Sequence, residues 1–192
     1  MAANIEFELL SKSFLPVSQV VNLLDVSGRN VKVQKILVYS DWTLDTQKLK
    51  VLTKDSQGQQ AINRGEILFV NLVSAVRRPM GLQVYKESDG INYSLWVDTQ
   101  GNPELDCDFL TKENEIIYNS FCDRLAVEFG EEICIGAMGV EISVNFESDI
   151  TQTIKNSRNV IRWVLPQSSN DKNIKGFSIN KKYTKITVFD KI

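Results

Sequence analysis

The chain has 192 residues, 43% hydrophobic and 24% charged, with a formal net charge of −2; this balance fits one globular domain over residues 1–192. It contains no histidine, which excludes Ser-His-Asp and Cys-His nucleophile systems, histidine general bases, histidine-ligated zinc and a histidine pH switch. The three cysteines, Cys107, Cys122 and Cys134, are widely spaced with no CxxC pair, so neither a disulfide framework nor a structural zinc site is expected.

Near the N-terminus Ile5, Phe7 and Leu9 alternate with Glu6 and Glu8, the period-2 pattern of a half-buried strand. The same two glutamates interrupt any apolar export signal, and no segment approaches the ~18 continuous apolar residues of a membrane span. Together with reduced thiols, this leads to the expectation of a cytoplasmic protein with no membrane contact. Pro16 suits a first helical turn, with Val17, Val20, Val21 and Leu24 following at helical spacing and Gly28 as a stop. Val31–Tyr39 reads as a strand. The stretch Trp42–Lys54 fits neither period, and polar Gln57–Arg64 with Gly58 reads as a loop.

Ile67–Val73 is a continuous apolar run of strand length, expected to be buried on both faces. Leu82–Tyr85 and Ile91–Val97 flank Ser88-Asp89-Gly90, and Asp-Gly between two such runs predicts a hairpin. Thr111–Phe129 reads as a long amphipathic helix: Ile117, Phe121 and Leu125 form its stripe, Thr111 caps it and Gly130 closes it. Ile133–Ile135 and Val140–Phe146 read as two strands around Gly136 and Gly139. That GxxG spacing occurs in a nucleic-acid-binding loop, but between strands and beside Glu131, Glu132 and Glu141 it reads as a bulge or tight turn. Asp149 caps a short helix to about Asn156, Val160–Leu165 is a strand stopped by Pro166, and Gln167–Lys175 is a loop. Phe177–Ile179 and Ile186–Val188 form a last hairpin. The expected fold class is α+β: a mainly antiparallel sheet, one long amphipathic helix at about 111–129, and one or two shorter helices.

Charge is uneven along the chain. Residues 1–85 carry 10 basic and 7 acidic residues, residues 86–149 carry 3 and 15, and residues 150–192 carry 9 and 2. The acidic middle and basic tail either neutralise each other in the fold or form separate patches. The loop at 98–108 holds Asp98, Glu104, Asp106 and Asp108, and Trp96 just before it has the parity of the hairpin's outer face. An exposed tryptophan beside carboxylates makes an anchor for a basic protein partner. Cys107 lies between Asp106 and Asp108, which disfavours its thiolate, and Cys122 and Cys134 read as core. Arg77 and Arg78 are a weak anion-binding pair, ended by Pro79.

No Walker A, GxGxxG or GxSxG motif is present. The sequence therefore points to a non-enzymatic interaction protein of inhibitor, immunity or adaptor type, with no catalytic residues, cofactor or metal ligands assigned. Two alternatives stand beside it. One is a metal-dependent hydrolase or nuclease using the acidic loop 98–108 with Lys112. The other is nucleic-acid binding through the basic C-terminal segment, which a sequence pI of about 5.3 disfavours.

Overall fold

The structure is a computed structural model, and it describes residues 4–24, 30–45, 50–52, 55–74, 80–87, 89–99, 109–169 and 173–192. Ten strands form one sheet: β1 (Asn4–Ser11), β2 (Lys32–Tyr39), β3 (Lys50–Leu52), β4 (Ile67–Val73), β5 (Met80–Glu87), β6 (Gly90–Asp98), β7 (Ile133–Ser143), β8 (Arg158–Pro166), β9 (Phe177–Lys182) and β10 (Ile186–Lys191). Their order is β3-β2-β4-β5-β6-β1-β7-β8-β10-β9, and every neighbouring pair is antiparallel. The helices are α1 (Val17–Asn22), α2 (Asp55–Asn63), α3 (Lys112–Phe129) and α4 (Ile150–Asn156), with a 3-10 turn at Gln167–Ser169.

The alternation in β1 sets the layers. Phe7 and Leu9 point to an inner face and are fully buried there beside Leu82, Val84, Tyr93 and Leu95. Helices α1, α2 and α3 close this face with Val17, Val20, Ile62, Phe121 and Leu125. Phe7 stacks on Phe121 at 4.5 Å and meets Tyr118 edge-on at 5.7 Å. Each such side chain contributes about 1.5–3 kcal/mol by leaving water. The outer face is treated differently at its two ends. Over β7, β8 and β10 a second core of Ile135, Ala137, Trp163, Leu165 and Phe189 is covered by Val144, Phe146, α4 residues Ile150 and Ile154, and Ile174.

Several expectations are corrected. The fold class is overturned: the described residues are 47% strand and 26% helical, a ten-stranded antiparallel sheet with four helices attached rather than α+β built on one long amphipathic helix. Residues 112–129 are helical, but Ile116 and Val127 on the solvent side are 62% and 85% exposed, so polarity does not divide this helix cleanly. Thr111 caps it as expected, in a reciprocal box with Asn114. Gly130 ends it in right-handed conformation; an added Cβ there would meet Ala126 O at 2.7 Å, so close approach selects the glycine.

The polar stretch expected to be a loop at 57–64 is helix α2, held by Ala61 and Ile62 buried on the inner core. β4 is buried on one face only, since Phe69 is half-buried and Asn71 exposed. β7 is one strand, not two. A register shift at Met138/Gly139 supplies the expected bulge, and a Cβ on Gly139 would lie 2.4 Å from Asn159 O. α1 ends at Asn22, and its expected stop at Gly28 lies outside the described residues. The hairpin β5–β6, the Asp149 cap of α4 and the closing hairpin β9–β10 form as read. Among the described residues no helix is long and apolar enough to cross a membrane.

Candidate functional site

On the outer face of β2, β4, β5, β6 and β1, no helix among the described residues lies over the strands as α4 does over the other half. Strand register places these side chains on it: Tyr39 and Leu37 on β2, Phe69 on β4, Gln83 and Tyr85 on β5, Ser94 and Trp96 on β6, Glu6 and Glu8 on β1. All are half-buried.

The aromatic rings interlock. Tyr39 meets Phe69 edge-on at 5.2 Å. Trp42, 57% exposed, sits edge-on against Tyr85 at 4.9 Å. Its turn is shaped by Asp41, whose carboxylate accepts from the Thr43 amide at 2.9 Å. Trp96 lies over Gly81 on the adjacent strand, where an added Cβ would come within 2.8 Å of the ring. Glycine here gives the indole a bare backbone to rest on.

Glu8 sits at the inner end of this surface, beside the covered half. Burial pushes its carboxyl up to about 7; hydrogen bonds from Ser94 and Asn92 oppose the rise, and the charges of Glu6 and Glu87 add to it. Glu6 is also raised, chiefly by burial and further by Glu141. Asn92 donates to the Tyr85 hydroxyl at 2.5 Å. Burial, with the charges of Glu8 and Glu87, pushes Tyr85 up to about 12, so it stays a neutral hydrogen-bonding phenol. A carboxylate poised near neutrality among aromatic rings can accept a lysine or arginine head group, by charge and by cation–π contact.

The sequence-derived site residues separate. Trp96 is on this face, as its parity required, and Asp98 shares its side at the end of β6, half-buried. Glu104, Asp106, Asp108, Arg77, Arg78 and Cys107 lie outside the described residues. Cys122 is core, its thiol pushed up to about 12 by burial, while Cys134 is only half-buried. Among the described residues no group of three or more Cys, Asp or Glu side chains is placed to hold a metal ion. Two ion pairs join the acidic middle to the basic tail, Lys181–Asp123 at 2.7 Å and Lys185–Glu131 at 2.6 Å.

Sequence reading missed Glu6 and Glu8 as site residues, using them as the polar half of an alternation and as a break in an apolar run, and missed the Trp42–Tyr85 contact. The available signal was the shared outer parity of Gln83, Tyr85, Asn92, Ser94 and Trp96 on the predicted hairpin. It also missed a buried network under α3, because Arg162 reads as one more tail cation. Arg162 is fully buried and grips Asp190 with two bonds of 2.6 and 2.8 Å, while a third nitrogen donates to Asn119 at 2.7 Å. This pair is closed to solvent and its hydrogen bonds are spent within the fold, so it is structural.

No family model matches the chain, and neither a curated protein nor a solved structure is found similar to it.

Proposed function

We propose that this chain is a non-enzymatic interaction protein, of inhibitor, immunity or adaptor type, that holds a basic protein partner on the outer face of β2, β4, β5, β6 and β1. The observation that supports the reading is the placement of aromatic rings and carboxylates together on a sheet face that no other element among the described residues covers. Exposed apolar patches edged by polar groups mark interaction surfaces. Trp42, Tyr85 and Trp96 supply rigid aromatic anchors, the residue type that dominates interface energies. Glu6, Glu8 and Asp98 supply the charge that selects a basic partner and speeds encounter. Glu104, Asp106 and Asp108 follow Asp98 in the sequence and extend that acidic character.

A cation brought to Glu8 favours its ionised form, so binding releases a proton and strengthens as pH rises through about 7. The reading is tested by capture from native lysate with the wild-type chain, a Trp42→Ser/Glu8→Lys variant and a Lys182→Glu control on the far edge strand. One stoichiometric basic partner, lost with the first variant and kept with the control, is the expected result. Identical partners on all three baits would overturn it.

A further inference from the structure

Among the described residues three cavities lie at the covered half of the sheet, and their charges separate them. One of about 490 Å³ contains Lys12, Glu131 and Lys185. Lys185 pairs with Glu131 at 2.6 Å and Lys12 donates to the Glu131 carbonyl at 2.6 Å, so its charges satisfy one another. A second, of about 300 Å³, exposes Cys134 between Asp89 and Glu147. Burial and the neighbouring Asp89 push that thiol up, the reverse of what a nucleophile needs.

The third differs. It lies between α4 and the segment leading into β9, has a volume of about 580 Å³, and is lined by Ile154, Ile174 and Phe177 with Lys155, Lys175 and Thr151. Its apolar wall continues the second core, since Ile154 and Phe177 pack on the same cluster that contains Ile174. Among the described residues no acidic side chain lines it. Neither Lys155 nor Lys175 forms an ion pair or hydrogen bond among the described residues.

We infer that this cavity is a binding site for a small amphipathic anion, a single-chain alkyl carboxylate. The alkyl chain lies along Ile154, Ile174 and Phe177, and the carboxylate meets the ammonium groups of Lys155 and Lys175. The volume falls within the ~300–1,000 Å³ of small-molecule sites. An apolar wall with two cations that have no acidic partner among the described residues matches a ligand that is apolar along its length and anionic at one end. This site is independent of the open sheet face.

Calorimetry on the full chain tests it, with dodecanoate below its micelle concentration and with dodecanol and acetate as partial ligands. One dodecanoate per chain is expected, acetate showing no saturable binding and dodecanol binding about tenfold more weakly. The exposed double variant Lys155→Gln/Lys175→Gln should lower dodecanoate affinity about tenfold, to the level of dodecanol, as expected for two solvent-facing ion pairs. Absence of saturable dodecanoate binding, equal affinity for dodecanol, or an unchanged variant would overturn the inference. So would sedimentation of the chain with phosphatidylglycerol vesicles that free dodecanoate fails to compete away, which would mark a membrane surface site instead.

Discussion

The two halves of this one sheet receive opposite treatment on the same outer face. Over β7, β8 and β10, Trp163 and Phe189 are buried beneath α4 and the segment before it. Over β2, β4, β5 and β6 the described residues supply no corresponding layer, and Tyr39, Phe69, Tyr85 and Trp96 remain half-exposed. Both halves share the inner core. Large aromatic residues left half-exposed on one face are available for contact.

Breaking the closed half has the largest expected effect. Asp190→Ala leaves Arg162 buried without its partner and should cost ~3–5 kcal/mol in denaturant unfolding. Trp163→Ala should cost a similar ~3–5 kcal/mol by opening a cavity in the second core. A wild-type midpoint in either variant would show that the two halves are not distinguished by burial.

The boundary between the halves is probed by Glu8→Gln. The folded carboxyl has its pKa raised from 4.5 to about 7. Its neutral form therefore suits the fold, and stability is lost as pH rises through this window. The glutamine variant should match the wild type at pH 5 and exceed it at pH 8 by ~1–3 kcal/mol. Equal pH profiles for the two proteins would place Glu8 in ordinary solvent.

Gly81→Val sharpens the comparison within the open half. The new Cβ must displace the Trp96 ring at 2.8 Å, and unfolding should become easier by ~1–3 kcal/mol. Trp42→Ser is the mildest change, within about 0.5 kcal/mol in stability, because a mostly exposed ring is removed from the surface. A large loss there would mean that the open face is structural after all.

Local features of this fold were legible and non-local ones were not. The strand at 4–11, the Asp-Gly hairpin and the Asp149 cap follow from alternation, turn chemistry and a side chain accepting a backbone bond two residues away. Helix α2 was hidden because its buried contribution is little more than Ala61 and Ile62 in a polar stretch containing Gly58. The sheet order, with β1 between β6 and β7, joins strands far apart in sequence and leaves no local trace. The same limit applies to the candidate site. Parity placed Trp96 outward, but only the pairing of β1 with β6 brings Glu6 and Glu8 beside it, and only the turn after β2 brings Trp42 onto Tyr85.

The three tryptophans report on the central claim directly, since Trp42 and Trp96 lie on the open half and Trp163 is 1% exposed in the closed one. The measurement is acrylamide quenching of the intact chain with poly-L-lysine as a basic polypeptide, against poly-L-glutamate and a Trp42→Phe/Trp96→Phe variant that leaves only Trp163. Saturable, salt-reversible protection by poly-L-lysine, absent with poly-L-glutamate and absent in the variant, is the result the account predicts. Unprotected quenching of Trp42 and Trp96 while poly-L-lysine binds, or protection by both polymers alike, would contradict it.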